Sequence, residues 1–153
     1  MLKINIVCVG SIKEIFFFDA IKEYEKRLSR FCSLSIIEVQ EEALEKSIDK
    51  KIEKESAKLI SACKGVIILL DREGKMVSSE DLAETFNKLS SQGVSEVSFV
   101  IGGSKGVSDE LKQKSKFVYS FGKITFPHQL FRVVLLEQIY RGFSINSGLP
   151  YHK

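Results

Sequence analysis

The segment GVIILLD at residues 65–71 is the feature that most constrains the fold. Its five central residues are all apolar, without the alternation of apolar and polar residues that marks a strand with one solvent-facing side. A strand of this kind must be covered on both faces, and helices provide that cover in parallel α/β sheets. The segment therefore predicts a buried strand with helices on both sides of its sheet.

Short β-branched runs and amphipathic segments alternate along the rest of the chain. Further strands are predicted at 2–9, 34–39, 94–101 and 116–121, and helices at 15–28, at 44–60, from Ser78 or Ser79 to Gly93, from Ser108, and from about His128 to Phe143. This order predicts an α/β fold with a mostly parallel five- to six-stranded sheet flanked by helices. The 153 residues contain no linker or repeat, so we expect a single domain over 1–153.

Residue composition argues against several classes of protein. The three cysteines form no CxxC pair and have no histidine near them in sequence, so we expect no metal site and a reduced, cytoplasmic protein. The first ten residues lack the basic start and long apolar core of a signal peptide. No stretch approaches the roughly 18 apolar residues of a membrane span, so no membrane association is expected.

Positive charge is concentrated in the C-terminal third of the chain. Residues 1–100 hold 15 basic and 17 acidic side chains, whereas residues 101–153 hold 8 basic and 3 acidic ones. Because lysine and arginine neutralise phosphates, this imbalance fits a polyanionic partner. A solvated basic surface accounts for the charge equally well.

Three segments follow predicted strand ends, where ligands bind in parallel α/β folds. They are Leu70 with Asp71, the glycine turn Gly102–Gly106 and the loop Phe121–Phe126. Glycine lets a ligand approach the main chain, and the loop backbone with Thr125 could wrap a flat ligand. The alternatives are a plain tight connection at the glycine turn and a surface loop that leads into a helix starting at Pro127.

The last predicted helix, QLFRVVLLEQIYRGF, is apolar over most of its surface. Such a helix must be buried, either against a second subunit in a symmetric dimer or as the central core helix. Near its end, Arg141 either pairs with Glu137 or directs its guanidinium at a phosphate or a base edge. Tyr151, His152 and Lys153 suit base stacking, proton transfer and phosphate neutralisation, or they form a frayed tail.

Taken together, these segments resemble the RlmH family of SPOUT-class methyltransferases, which modify N3 of a pseudouridine in large-subunit (23S) ribosomal RNA. The matching motifs are LLD at 69–71, IGGSKG at 101–106, ITFPHQLFRVVLLEQIYR at 124–141 and PYHK at 150–153. The resemblance runs from the first strand to the last residue. It implies a SPOUT-type α/β fold with a C-terminal trefoil knot, which sequence rules do not predict because knots are almost absent from proteins.

The resemblance also implies S-adenosylmethionine as cofactor, a homodimer, and 23S rRNA in the assembled ribosome as substrate. The implied cofactor-binding residues are Leu70, Gly102, Phe121, Gly122, Lys123, Ile124, Thr125 and Phe126. The family commonly has a small residue early in this loop, where the present chain has Phe121-Gly122-Lys123.

The implied catalytic residues lie at the end of the chain. His152 is the candidate base for the N3 proton, with a carbonyl-oxygen or water-assisted route as the alternative. Tyr151 stacks on or bonds to the nucleotide, and Arg141 orients the base or its phosphate. The alternatives are a non-catalytic ribosome-binding module and a methyltransferase acting on tRNA. An imidazole near the terminus disfavours the first, and the lack of a visible extra RNA-recognition segment disfavours the second.

Overall fold

The computed structural model describes residues 1–153 and contains one five-stranded sheet in the order β2-β1-β4-β3-β5. All four strand pairs are parallel. The strands are β1 (Leu2–Val9), β2 (Cys32–Val39), β3 (Val66–Met76), β4 (Glu96–Ile101) and β5 (Phe117–Ser120). The predicted α/β fold is confirmed, and its sheet is parallel throughout.

Five helices cover the two faces of the sheet. They are α1 (Ile15–Leu28), α2 (Ile48–Ala62), α3 (Ser79–Ser91), α4 (Asp109–Lys114) and α5 (His128–Asn146). Apolar residues of α1, α3 and α5 form one buried cluster with one face of the sheet. Leu59 of α2 and Leu111 of α4 form a second cluster with the other face.

Strand β3 is buried on both sides, as its apolar run predicts. Ile68 and Leu70 belong to the first cluster and Leu69 to the second, so successive side chains enter opposite layers. The strand continues to Met76, beyond the predicted end at Asp71. Its pairing with β5 shifts register between Leu70 and Lys75, so the intervening residues bulge out at the carboxyl edge of the sheet.

Helix α5 is the central helix of its layer and packs between α1 and α3. Leu135, Leu136 and Ile139 are fully buried within the single chain. The Phe143 ring is stacked between the rings of Phe31 and Phe86, with centroid distances of 5.5 and 4.6 Å. The core-helix alternative therefore accounts for most of the apolar surface of α5. No helix, α5 included, is long and apolar enough to cross a membrane.

The start predicted for α2 is wrong. Leu44, which has helical spacing to the apolar residues that follow, lies in a turn before the helix and is 96% exposed. The helix begins at Ile48 because the Ser47 side chain accepts a hydrogen bond from Lys50 N at 3.3 Å. The apolar spacing thus extends in the N-terminal direction past Ser47, the residue that caps the start of the helix.

The three cysteines are free. Burial raises the pKa of each thiol, that of Cys8, Cys32 and Cys63, to about 11. Thiols with such pKa values stay protonated at neutral pH and are poor nucleophiles.

Candidate functional site

An open cavity of about 630 Å³ lies at the carboxyl ends of β3, β4 and β5. This volume is in the usual range for small-molecule sites, roughly 300–1,000 Å³. Seven of the eight residues expected to bind a cofactor line it: Leu70, Gly102, Phe121, Gly122, Ile124, Thr125 and Phe126. The eighth, Lys123, is exposed and does not line the cavity.

The glycine turn after β4 forms one side of the cavity and is too tightly packed to accept side chains. A Cβ added at Gly102 would lie 2.3 Å from Val107 Cγ1, and one at Gly103 would lie 2.4 Å from Glu55 Oε1. Gly106, whose φ is 99°, donates from its backbone N to Gly103 O at 3.1 Å and closes the turn. Glycine at these positions therefore lets the backbone itself form the cavity wall.

The loop after β5 forms the opposite side of the cavity. Gly122 has φ 113°, and its N–H donates to Ser120 Oγ at 3.1 Å. The N–H groups of residues 123–126 donate no hydrogen bond within the chain. The loop thus presents unpaired backbone donors beside the apolar side chains of Ile124 and Phe126, a combination suited to a flat heterocycle.

Two side-chain contacts connect this loop and α5 to the other strand ends. Arg72 Nη1 donates to Thr125 Oγ1 at 2.7 Å, which joins the residues after β3 to the loop after β5. His128 Nε2, in the first turn of α5, is hydrogen-bonded to Gly102 O. A carbonyl only accepts, so this nitrogen carries the proton.

Sequence reasoning did not single out Arg72 or His128 as site residues. His128 was visible as a polar residue of the TFPHQL motif at a helix start, next to the predicted strand-end loop. Nothing local marked Arg72, because its partner lies 53 positions away. Both contacts help to hold the cavity walls together.

The three residues expected to act in catalysis lie together near the C-terminal half of α5. Glu137 Oε1 accepts hydrogen bonds from Arg141 Nε at 3.0 Å, from Arg141 Nη2 at 2.7 Å and from the Tyr151 hydroxyl at 3.1 Å. The Arg141 guanidinium also lies 4.7 Å from the centre of the Tyr151 ring. The tail is therefore held against α5, which contradicts the frayed-tail alternative.

His152 lies between a cation and a carboxylate. Its Nδ1 is 3.1 Å from Arg141 Nη1, and its Nε2 is 2.6 Å from Glu80 Oε1. Because a guanidinium only donates, Nδ1 accepts and Nε2–H donates to Glu80. We call Glu80, Glu137, Arg141, Tyr151 and His152 the tail cluster.

Hydrogen bonds and burial shift the pKa values of three members of the tail cluster. The hydrogen bond from His152 lowers the pKa of Glu80, and the hydrogen bond to Glu137 raises that of Arg141. Burial, with the Glu137 charge next in importance, raises the pKa of Tyr151 to about 12. Tyr151 is therefore a neutral hydrogen-bond donor over the physiological pH range.

The cavity and the tail cluster are separate in the single chain. None of the tail-cluster residues lines the cavity. A smaller groove of about 280 Å³, between α3 and α5, shares Phe121 and Phe126 with the cavity and is also lined by Gln138. Gln138 Nε2 donates to Glu137 Oε2 at 2.6 Å. The groove thus connects the two regions without bringing their functional side chains together.

Comparison with known proteins gives full-length matches. Residues 2–152 match the family described as "Predicted SPOUT methyltransferase". The chain is 47% identical to a protein of Clostridium novyi (strain NT) named ribosomal RNA large subunit methyltransferase H, over 99% of this chain and 100% of the relative. Proteins with the same name and the same coverage are 48% identical in Lactobacillus acidophilus and 45% identical in Streptococcus uberis.

A solved structure shows the same fold. It is described as that of a probable methylase family protein from Haemophilus influenzae Rd KW20, and it matches with a TM-score of 0.59 and 11% sequence identity. The match covers 100% of this chain and 72% of the other.

Proposed function

The chain belongs to the SPOUT methyltransferase family, and from this premise we propose that it transfers a methyl group from S-adenosylmethionine to 23S ribosomal RNA of the large subunit. The observation that carries the proposal is the 47% identity, over the whole length of both chains, to a ribosomal RNA large subunit methyltransferase H. Such coverage includes both the cavity and the tail cluster.

The cavity fits S-adenosylmethionine. Adenine is flat and has ring nitrogens that accept hydrogen bonds, which suits the apolar side chains of Ile124 and Phe126 and the unpaired N–H groups of residues 124–126. The cavity lining carries both signs of charge, Asp71 and Glu73 for the sulfonium and amino groups of the cofactor and Arg72, Lys105 and Lys112 for its carboxylate. We propose that Leu70, Gly102 and the Phe121–Phe126 loop bind the cofactor, with Lys123 contributing only its backbone.

The proposed target atom is N3 of a pseudouridine in 23S rRNA of the assembled ribosome. The cofactor supplies an activated methyl group, and most of the rate enhancement comes from holding the reactants in line. N3 carries a proton that must leave, and we assign its removal to His152. Arg141 orients the base or its phosphate, and Tyr151 stacks on or bonds to the nucleotide.

The present contacts of His152 imply a rearrangement during this step. Its one available lone pair, on Nδ1, accepts the hydrogen bond from Arg141 Nη1 at 3.1 Å. A proton acceptor needs that lone pair, so Arg141 must turn away when the nucleotide enters. An RNA phosphate or base edge would supply the hydrogen-bond acceptor that draws Arg141 away from His152.

The separation of cavity and tail cluster supports a homodimeric enzyme. We propose that the tail of one subunit completes the site over the cofactor of the other. Leu130, Val133 and Val134 of α5 are half-buried in the single chain and supply apolar surface for the contact.

The C-terminal segment, in this proposal, forms the trefoil knot that the resemblance implies. In support, Arg72 and His128 connect the segment after β5 to the residues after β3 and β4. An enzyme that acts on the assembled ribosome works in the cytoplasm, which agrees with the reduced cysteines.

The test is transfer of labelled methyl from S-adenosylmethionine to ribosomes from a strain without this protein, followed by reverse transcription of the large-subunit RNA. Methylation at N3 blocks base pairing, so we expect one new stop with whole ribosomes and much less label on free large subunits. Cofactor binding without label on any RNA would instead indicate a ribosome-binding module. Label on tRNA alone would establish the other alternative.

A further inference from the structure

Glu55 of α2 is a buried acidic residue with one unsatisfied oxygen. Its exposed fraction is 1%, and it lies on the side of the sheet away from α5. Oε2 accepts a hydrogen bond from Glu42 N at 3.0 Å, whereas Oε1 has no hydrogen-bond partner. Leaving a buried hydrogen-bond acceptor unpaired is costly, so an unpaired oxygen at this depth requires an explanation.

The unsatisfied oxygen faces the glycine turn of the cavity. A Cβ added at Gly103 would lie only 2.4 Å from Oε1, so this oxygen is close to the Gly103 backbone. The neighbouring Ser56 Oγ accepts a hydrogen bond from Ser108 N at 2.9 Å, two residues beyond the turn at the start of α4. Helix α2 therefore lies behind the turn and the residues that follow it, while the front of the turn lines the cavity.

The turn also has an unpaired backbone donor in the residue after Gly103. The N–H of Ser104, the peptide group that follows Gly103, donates no hydrogen bond within the chain. A small movement of the turn toward α2 would join this donor to Oε1 and satisfy both groups. Such a movement would change the shape of the cavity wall formed by Gly102 and Gly103.

We propose that Glu55 is a positioning residue for cofactor binding, whose Oε1 accepts a hydrogen bond from Ser104 N–H when the turn moves toward α2 to admit the cofactor. This proposal rests on the function proposed above. It explains why a carboxylate is buried behind the site without touching it, and why Gly103 has no side chain. Glu55 acts through the turn and contacts neither the methyl group nor the RNA.

The substitution Glu55→Gln tests the proposal with little change in volume. The glutamine oxygen can keep the bond from Glu42 N, but its NH₂ group then faces the Ser104 N–H, donor against donor. Glu53→Gln, on an exposed turn of the same helix, is the matched control. Because the substitution removes a hydrogen bond that forms only when the cofactor is bound, we expect the cofactor Kd of Glu55→Gln to rise about tenfold or more.

The measurements are calorimetric cofactor binding, the thermal midpoint and steady-state kinetics. We expect the KM for cofactor to rise in Glu55→Gln while kcat and the KM for ribosomes stay near wild type, a split that general destabilisation would not produce. In the wild-type protein, adding S-adenosylmethionine is expected to slow hydrogen exchange at the Ser104 amide.

Two outcomes distinguish failure of this inference from failure of the proposed function. If the wild-type protein binds cofactor, and Glu55→Gln binds it equally well or Ser104 exchange is unchanged on binding, Glu55 has no positioning role. If the wild-type protein binds no S-adenosylmethionine, the proposed function fails and the role of Glu55 fails with it.

Discussion

The cavity and the tail cluster are built in different ways. The cavity wall is mostly backbone: glycines that leave no room for side chains, and a loop whose N–H groups are unpaired. The tail cluster is made of charged and polar side chains that bond to one another. Two of them, His152 and Glu80, are 72 positions apart in the sequence. The cavity should therefore be most sensitive to added atoms, and the cluster to lost polar groups.

Removal of Tyr151–Lys153 is expected to have the largest effect. It deletes the proposed base and the hydroxyl bound to Glu137, so methyl transfer should fall by about 10²–10⁴-fold, the usual contribution of general acid–base catalysis. The cofactor Kd should be unchanged, because none of the deleted residues lines the cavity. Labelled-methyl transfer and calorimetry provide the two readouts. Normal turnover by the shortened protein would remove the tail from the mechanism.

Substitution Gly102→Ala is expected to weaken cofactor binding, which removal of the tail leaves unchanged. The new methyl group would lie 2.3 Å from Val107 Cγ1 and force the turn to move. Because the moved backbone lines the cavity, the cofactor Kd should rise about tenfold, or about 1.4 kcal/mol of binding free energy, while the tail stays in place. Gly142→Ala, whose Cβ meets Phe86 Cε2 at 3.0 Å outside the cavity, is the control. If the control weakens cofactor binding equally, the effect is general destabilisation.

Acidification should weaken the contact between His152 and Glu80. The His152 hydrogen bond lowers the pKa of Glu80 from its ordinary value of 4.5, so the contact stabilises the docked tail above pH 4.5. That contribution is lost as the pH falls below 4.5 through the lowered pKa of Glu80. The His152 ring resonances in NMR spectra should report the release, and Glu80→Gln should abolish this step. A step that persists in Glu80→Gln would assign it to another group.

The smallest effect is expected for Lys123→Ala. Lys123 is exposed and its side chain does not line the cavity, so the cofactor Kd should not change measurably. Thr125→Ala is the informative comparison, because it removes the acceptor of the 2.7 Å bond from Arg72 and should weaken cofactor binding a few-fold. Equal effects of the two substitutions, measured by calorimetry, would contradict the assigned geometry of the loop.

Local patterns predicted the elements whose limits depend on local interactions. Strand β1 and helix α1 have the predicted limits, Leu2–Val9 and Ile15–Leu28, because apolar periodicity follows directly from the burial of one face or stripe. The extension of β3 to Met76 was missed because residues 72–75 are polar or glycine, and because Lys75 and Met76 pair with Tyr119 and Ser120 of β5, far away in the sequence. Pairing over that distance has no local signature.

The cavity and the tail cluster also differed in how much of them the sequence could predict. The rule that ligands bind at the carboxyl ends of parallel strands located the cavity segments, since it depends only on strand order. It could not predict that Lys123 does not line the cavity, or that Glu55 lies against Gly103 behind the glycine turn. The Glu80–His152 contact was equally hidden, because it needs the packing of α3 against α5.

The central position of α5 has a consequence for biosynthesis. Translation proceeds from the N-terminus, so all five strands leave the ribosome before Leu135, Leu136 and Ile139, the side chains that complete one layer of the core. Until then the nascent sheet exposes apolar surface, which is the condition under which chains aggregate. The tail-cluster residues Glu137 and Arg141 lie on the same helix and emerge with it. A partly synthesised chain thus has neither a finished core nor a working site.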